Sequence, residues 1–560
     1  MKKTNWILLG ILVIALFLRL FKVSTIPPHL TPDEASLGYN AYSLLTTGKD
    51  EYGKTMPVIF KSFGDYKPGL YIYTVVPFVA ILGLTELAVR LPSVLSGVLA
   101  VWLVYLIVVN FRQEKEKVDG KYAIFASLLL AINPWHVHFS RGAWEINLSL
   151  TLTLAGIYFF LKSLDRQKYL ITSSVFFALT LLTYQGAKLS SALVLIALVV
   201  VFNKQVVKFE IKNIVLSAIV GLVIALPIIL SLFSGKTGRL TVFSIFSYPR
   251  PRQYLQQFLD QNNEKIGSAS YYLFHSETNN FARGLLGRYF NYYSGRYLFF
   301  EGDWQNPKHN APNTGLFLLL DVFLFVPGII YLVRNKGKLT FFVFMWLALA
   351  PIPAVLSKDQ IHAVRSFNMV IPVILINSFG AMFVLNGIVN LKQTVKYAAL
   401  AAFLIGYVAN YGYYIDAYYV HLPKHDSKAW EYGYKQIAQR VIALQDKYDK
   451  VYIQQSYSQP YIYFLFYGSA AGREEYYPIN YQKQAKLSEN VSGDVGQVEK
   501  VGKNIEFVAF DWPRIRSQKR VLVVGDTIRI PDSEVNNNAK LIEEIIYLDT
   551  RPAFRIVETL

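Results

Sequence analysis

The residues with the clearest chemical potential lie in Pro27-Pro28-His29-Leu30-Thr31-Pro32-Asp33-Glu34, directly after the first hydrophobic run. Two adjacent carboxylates stand where the chain leaves an apolar segment, and prolines stiffen the approach to them. Charge at a membrane surface is costly unless it is solvated or used, so the pair is a candidate for proton abstraction. The same residues suit the start of a helix running through Ala41-Tyr42, because acids favour that end. Both readings stand on local grounds.

Basic and aromatic residues recur at the matching ends of the later apolar runs. Asp65-Tyr66-Lys67-Pro68-Gly69 comes first, followed by Glu86 and Arg90, then His136, His138, Arg141 and Glu145, then Lys188, then His362 and Arg365. Lysine and arginine at that depth can neutralise a phosphate carried on a lipid. Singly, each also fits an interfacial anchor that snorkels. An acid pair and several bases on one face are together more specific than any one of them. His136 and His138 diverge on a helix and converge on a strand, so they make a weak metal pair, and no ligand set for a metal is assigned. Asp33 and Glu34 can hold a divalent cation through oxygen, which leaves a cation possible and no cofactor required. Ser234-Gly235-Lys236-Thr237-Gly238 lacks the spacing of a phosphate loop and is set aside. Arg250, Arg252, His275, Arg283, Arg288 and Arg296 make one long loop basic, fit either to cover a substrate or to face water.

The elements that position these residues follow from composition. The chain has 560 residues, 53% hydrophobic and 17% charged, which marks a polytopic membrane protein. Its net charge of +18 would suggest nucleic acid in a soluble chain. Here much of the excess lies in short loops between spans, so no nucleic-acid partner is expected. There are no cysteines, which removes disulfides and thiolate chemistry. Met1-Lys2-Lys3 precedes an uncleaved first span at 6–21, with the N-terminus cytoplasmic. Further spans are expected near 92–110, 121–138, 147–163, 169–184, 189–203, 213–233, 315–333, 339–356, 368–388 and 396–416, about eleven in all. The apolar stretch 70–84 is placed as a juxtamembrane helix, because only then do all the basic loops fall on the cytoplasmic side. Residues 1–417 form the membrane domain, with long external loops at 22–90 and 234–313. Residues 418–560 form an extracytoplasmic α/β domain with a helix at 428–448 and strands at 450–455, 505–510, 520–524, 541–547 and 554–558.

The first loop, with Asp33-Glu34, Lys67-Pro68 and Glu86-x-x-x-Arg90-Leu91-Pro92-Ser93, resembles that of the C-type (GT-C) membrane glycosyltransferases. The nearest resemblance is to the protein O-mannosyltransferase and lipid A aminoarabinose transferase superfamily. Asn133-Pro134-Trp135-His136-Val137-His138-Phe139-Ser140-Arg141 with Glu145 is similar to that family's second external loop, although the acid there is usually Asp at another spacing. Arg365 with Pro372 resembles the family's Arg…Pro pattern at a late span. The resemblance covers residues 1–415. It implies an inverting transfer of a sugar from a polyprenyl-phosphate donor to a hydroxyl on a protein, lipid or glycan, at the outer face of the plasma (inner) membrane. Asp33 would be the general base and Glu34 its orienting neighbour. Lys67, Arg141 and Arg365 would hold the donor phosphate, and Glu145, His138, Tyr66 and His362 would contact substrate. A transporter would instead place ionisable groups at the bilayer midplane, and a membrane sensor would rely on its external domain without turnover.

Overall fold

A computed structural model describes residues 2–113, 116–117, 119–233, 244–455, 458–484, 500–509, 511–535 and 537–560. The Ser234–Gly238 segment lies outside the described residues.

Helix α1 (Lys2–Leu20) leads through a bent linker into α2 (Pro32–Thr47). A hairpin of β1 (Ile59–Ser62) and β2 (Asp65–Pro68) then delivers the chain to α3 (Leu70–Leu82) and α4 (Glu86–Asn110). The bundle continues with α5 (Gly120–Ile132), the short α6 (Pro134–Phe139), α7 (Glu145–Ser163), α8 (Tyr169–Leu181), α9 (Ala187–Val201) and α10 (Ile211–Phe233). After two helices in the long loop, Arg252–Gln261 and Glu277–Asn291, it closes with α11 (Val322–Arg334), α12 (Lys338–Leu349), α13 (Val370–Val389) and α14 (Gln393–Asp416).

The protein is a helical polytopic membrane protein. Among the described residues, six helices are long and apolar enough to cross a membrane, and shorter apolar helices pack beside them. Helix α13 is almost wholly covered by its neighbours, whereas α10 and α14 turn most of their apolar surface outward, as helices facing lipid do. Each segment read as a span contains one of these helices, with two differences at the ends. The segment 121–138 breaks at Asn133, since Pro134 has no N–H with which to continue the ladder. Asn133 caps the new helix α6 by accepting the His136 N–H at 2.9 Å. The segment 315–333 becomes α-helical only from Val322. Helix α3 has 13 residues, as α5, α8 and α11 do, and so runs about 20 Å. It lies against α2 and α4 with Tyr71, Ile72, Val75 and Val79 buried.

The C-terminal segment contains α15 (Tyr434–Leu444), β3 (Val451–Gln454), α16 (Tyr461–Ala470), β4 (Lys500–Val501), β5 (Ile505–Val508), β6 (Leu522–Asp526), β7 (Ala539–Ile546) and β8 (Pro552–Thr559). They form one mixed sheet in the order β4-β5-β3-β6-β8-β7, with β3 parallel to both neighbours and the outer pairs antiparallel. This sheet does not stand apart from the first loop. Leu37, Phe60 and Tyr71 belong to the same buried cluster as Ile437, Phe464 and Ile556. Gly38 makes the close approach possible: a Cβ there would lie 2.6 Å from both Phe466 and Val89.

Polar contacts fix the seam. The Tyr39 hydroxyl donates to the Tyr476 carbonyl at 2.9 Å, and Lys435 Nζ reaches Glu86 at 2.6 Å. The His29 ring lies across the seam, its Nδ1 2.6 Å from the Leu30 carbonyl and its Nε2 accepting the Lys435 N–H at 3.0 Å. That arrangement needs a neutral ring, and burial lowers the His29 pKa from its ordinary value to about 4. Between about pH 6.5 and 4 the unfolded chain therefore binds a proton that the folded chain refuses, so stability is present above that window and lost through it. Thermal unfolding in detergent should show the melting temperature falling more steeply over this window for the unaltered protein than for His29→Gln. An equal slope would remove His29 from the seam's pH response.

Candidate active site

The acid pair is divided by the helix it opens. Thr31 is the N-cap of α2, and its hydroxyl accepts the Glu34 N–H at 3.2 Å while Glu34 Oε2 accepts the Thr31 N–H at 2.9 Å. This reciprocal capping box, with Pro32 in the first turn, turns Glu34 inward. Successive helical residues diverge by about 100°, so Asp33 is directed outward.

Glu34 is buried and fully engaged. Its Oε1 accepts from Arg90 Nε at 2.9 Å and from the Ala143 N–H at 2.8 Å, and its Oε2 also accepts from Arg90 Nη2 at 3.2 Å. Arg90 spends its remaining N–H groups on the carbonyls of Val23, Pro27 and His29 at 2.7, 3.0 and 2.8 Å. Glu34 is thus a structural carboxylate in this arrangement.

Asp33 is exposed and forms an ion pair with Lys67 of β2. Lys67 reaches it from the hairpin, its ammonium 5.5 Å from the centre of the Phe63 ring. Tyr66, next along the strand, takes the opposite face, and its carbonyl accepts the Gln185 side chain. Glu51 lies within electrostatic range of Lys67, and burial pushes its carboxyl up to about 8. From the C-terminal segment, half-buried Glu431 accepts from the Tyr463 hydroxyl at 3.1 Å and from Ser458, within electrostatic range of Asp33 and Lys308. Burial raises the Glu431 carboxyl pKa. Neither Glu51 nor Glu431 was marked by the sequence: each is a lone acid in an ordinary run, and burial alone makes it unusual.

The other expected site residues fall into two groups. Arg141 is buried, and its guanidinium donates to the carbonyls of Leu18, Phe21 and Ile26 at 2.6, 2.7 and 2.9 Å. It also stacks 5.3 and 5.0 Å from the Tyr418 and Tyr419 ring centres. With these contacts made it braces the backbone, and its Nε has no hydrogen-bond partner among the described residues. His138 is likewise buried, with Nε2 2.7 Å from the Lys308 carbonyl, and burial lowers its pKa to about 3. It packs among aromatic rings and does not line an open site. His136 points away from it to Arg19, at 2.7 Å. Glu145 opens α7, half-buried, and with Glu34 it lies within electrostatic range of the Tyr71 phenol. Arg365 forms an ion pair with Asp359 on the loop before α13. His362, on the same loop, stacks at 4.8 Å on His309 beside Asp303, a grouping that sequence reading missed because its members come from separate loops.

All of these residues gather at one end of the bundle, where the loops meet the sheet. The crystal structure of ArnT from Cupriavidus metallidurans bound to undecaprenyl phosphate superposes on 99% of this chain and 98% of its own, with a TM-score of 0.53 at 12% identity. The chain has the fold of that ArnT structure. The archaeal oligosaccharyltransferase AglB from Archaeoglobus fulgidus gives a TM-score of 0.47 at 13% identity, over 84% of this chain and 63% of its own. Residues 67–230 match the family described as dolichyl-phosphate-mannose-protein mannosyltransferase. Comparison of the sequence with curated proteins gives no match. On this scaffold Asp33 is exposed, its partner Lys67 is buried and Arg365 is half-buried, while Glu34, Arg90 and Arg141 are committed to the interior.

Removing one member of a buried ion pair strands the other, at a cost of about 3–5 kcal/mol. Arg90→Ala and Glu34→Ala should each lower the unfolding midpoint strongly, and the double variant should cost less than the sum of the two. Lys67→Met removes an ion pair open to solvent on one side and should cost about 1 kcal/mol or less. A double-mutant cycle by thermal unfolding in detergent measures this, and strict additivity would contradict the pairing.

Proposed function

We propose that this protein is an inverting glycosyltransferase that moves a sugar from a polyprenyl-phosphate donor to an acceptor hydroxyl on a protein, glycolipid or glycan. The observation that carries the reading is the Asp33–Lys67 pair, an exposed carboxylate and a lysine held at the capped start of α2. The family matched by residues 67–230 is named for a dolichyl-phosphate sugar donor, and the similar ArnT structure holds undecaprenyl phosphate. Both support a lipid phosphate as the carrier here. Short basic loops at the opposite end of the bundle support a cytoplasmic N-terminus and a site on the outer face of the plasma membrane, where a lipid carrier supplies the activated sugar.

Lys67 already holds an anion, and a donor phosphate can take that place. The exchange would release the Asp33 carboxylate to the acceptor hydroxyl, coupling donor binding to activation of the base. The acceptor oxygen then attacks the anomeric carbon from the face opposite the phosphate. The bond from that carbon to the phosphate oxygen breaks, the electron pair leaves with polyprenyl phosphate, and the hydroxyl proton passes to Asp33. Lys67 stabilises the charge that builds on the leaving phosphate, and Arg365 does so after exchanging Asp359 for it. Tyr66, Glu145 and His362 stand in the surrounding wall, and buried Arg141 braces the backbone behind it.

Purified protein incubated with radiolabelled polyprenyl-phosphate sugars and a membrane extract should release label from the lipid into a protein or glycolipid fraction. Asp33→Asn should lower transfer by about 10²–10⁴-fold, the usual contribution of a general base, while leaving the unfolding midpoint in place. Lys67→Met should raise the donor KM and lower kcat together. Full transfer by Asp33→Asn would sink the scheme.

A further inference from the structure

We propose that Asp303, His309 and His362 bind one divalent transition-metal ion, best suited to zinc, which ties the 303–309 loop to the loop preceding α13. The inference is independent of the transfer reaction.

The three side chains are brought together from two loops, and their candidate donor atoms all lie within 4.8 Å of one another. Asp303 and His309 are buried, and His362 is mostly so. Asp303 is fixed in place: Oδ2 accepts the Ala363 N–H at 2.7 Å and lies 2.6 Å from His309 Nδ1, while Oδ1 accepts the Asn306 side chain at 2.9 Å. The Ala363 contact joins the two loops beside His362. The His362 Nδ1 is buried and has no hydrogen-bond partner among the described residues. Buried polar nitrogens are nearly always paired, so an orphan imidazole nitrogen next to a second imidazole and a carboxylate points to a missing electrophile.

The donor chemistry narrows the ion. Two imidazoles and one carboxylate suit zinc and its first-row neighbours, whereas calcium and magnesium favour all-oxygen sites. Tetrahedral zinc with bonds of about 2.0–2.1 Å separates its ligand atoms by about 3.4 Å, so side-chain rotations of roughly an ångström close the site. The ion displaces the proton shared by Asp303 Oδ2 and His309 Nδ1, which lie 2.6 Å apart, and takes both atoms as ligands. Three protein ligands leave a fourth position for water or another oxygen ligand. The His309 ring also lies 5.7 Å from that of Trp144, and the Lys308 carbonyl contacts His138. The ion would therefore anchor this loop against the segment that leads into α7.

Full-length protein in detergent, stripped with a chelator, re-exposed to zinc chloride and desalted, should retain one zinc per chain by elemental analysis. His309→Ala and His362→Ala should lose that equivalent, and His275→Ala, whose ring pairs with Glu264 at 2.6 Å, should keep it. Zinc should raise the melting temperature of the unaltered protein by several degrees and leave His362→Ala unmoved. Because a variant can fail to fold, cobalt is added to the unaltered protein as a second readout, and its visible absorption should appear and then be displaced by zinc. No retained zinc and no cobalt band in the unaltered protein would overturn the proposal, as would equal retention in both histidine variants.

Discussion

Two buried guanidinium groups hold the turn on which the candidate site is built. Between α1 and α2 the chain runs without regular secondary structure, so its backbone carbonyls need partners when buried. Arg141 takes those of Leu18, Phe21 and Ile26, and Arg90 takes those of Val23, Pro27 and His29. A lysine offers three donors from one point and could not span carbonyls so widely spaced. Arg90 carries its charge into the interior, and Glu34 answers it, so the acid next to Asp33 is explained by the arginine rather than by chemistry. The capping box then sets the direction in which α2 leaves, and with it the place of Asp33.

That arrangement separates two jobs which the sequence presents as one motif. Adjacent carboxylates would repel each other if both faced one small site. Here Glu34 is neutralised inside the bundle by Arg90, and the exposed Asp33 by Lys67. The interior pair is expensive to break and holds geometry. The outer pair is solvated on one side and can exchange partners at low cost.

Much of the architecture was legible in the sequence because it rests on local patterns. Apolar runs long enough to span located the helices, alternation located the strands around Val451, Ile505, Leu522 and Phe554, and the acids at 33–34 did open a helix. The fates of individual charges were not legible, because they depend on distant partners. Arg141 has the residue type of a phosphate ligand, yet it lies among carbonyls of a segment more than a hundred positions earlier in the chain. His138 fell out for the same reason, since Pro134 converts its stretch into a short helix that buries the ring. The grouping of Asp303 and His309 with His362 escaped notice because no spacing rule connects two loops that are separated by α11 and α12.

The C-terminal sheet gains a role from the same contacts. Its helices share a hydrophobic cluster with α2 and α3, so the sheet and the first loop are stabilised together. Glu431, whose backbone φ is 56°, then places a half-buried carboxylate within electrostatic range of Asp33. A left-handed backbone at a non-glycine residue costs about 1–3 kcal/mol and persists only where its surroundings compel it. Ser458 supplies that compulsion by donating to Glu431, and the single Tyr463 O–H lies between Glu431 at 3.1 Å and the Leu30 carbonyl, just ahead of α2, at 2.9 Å. The capped start of α2 is therefore held from below by Arg90 and Glu34 and from above by the C-terminal segment. Movement of the sheet would be felt at Asp33, which makes this segment a wall of the candidate site rather than an appendage to it.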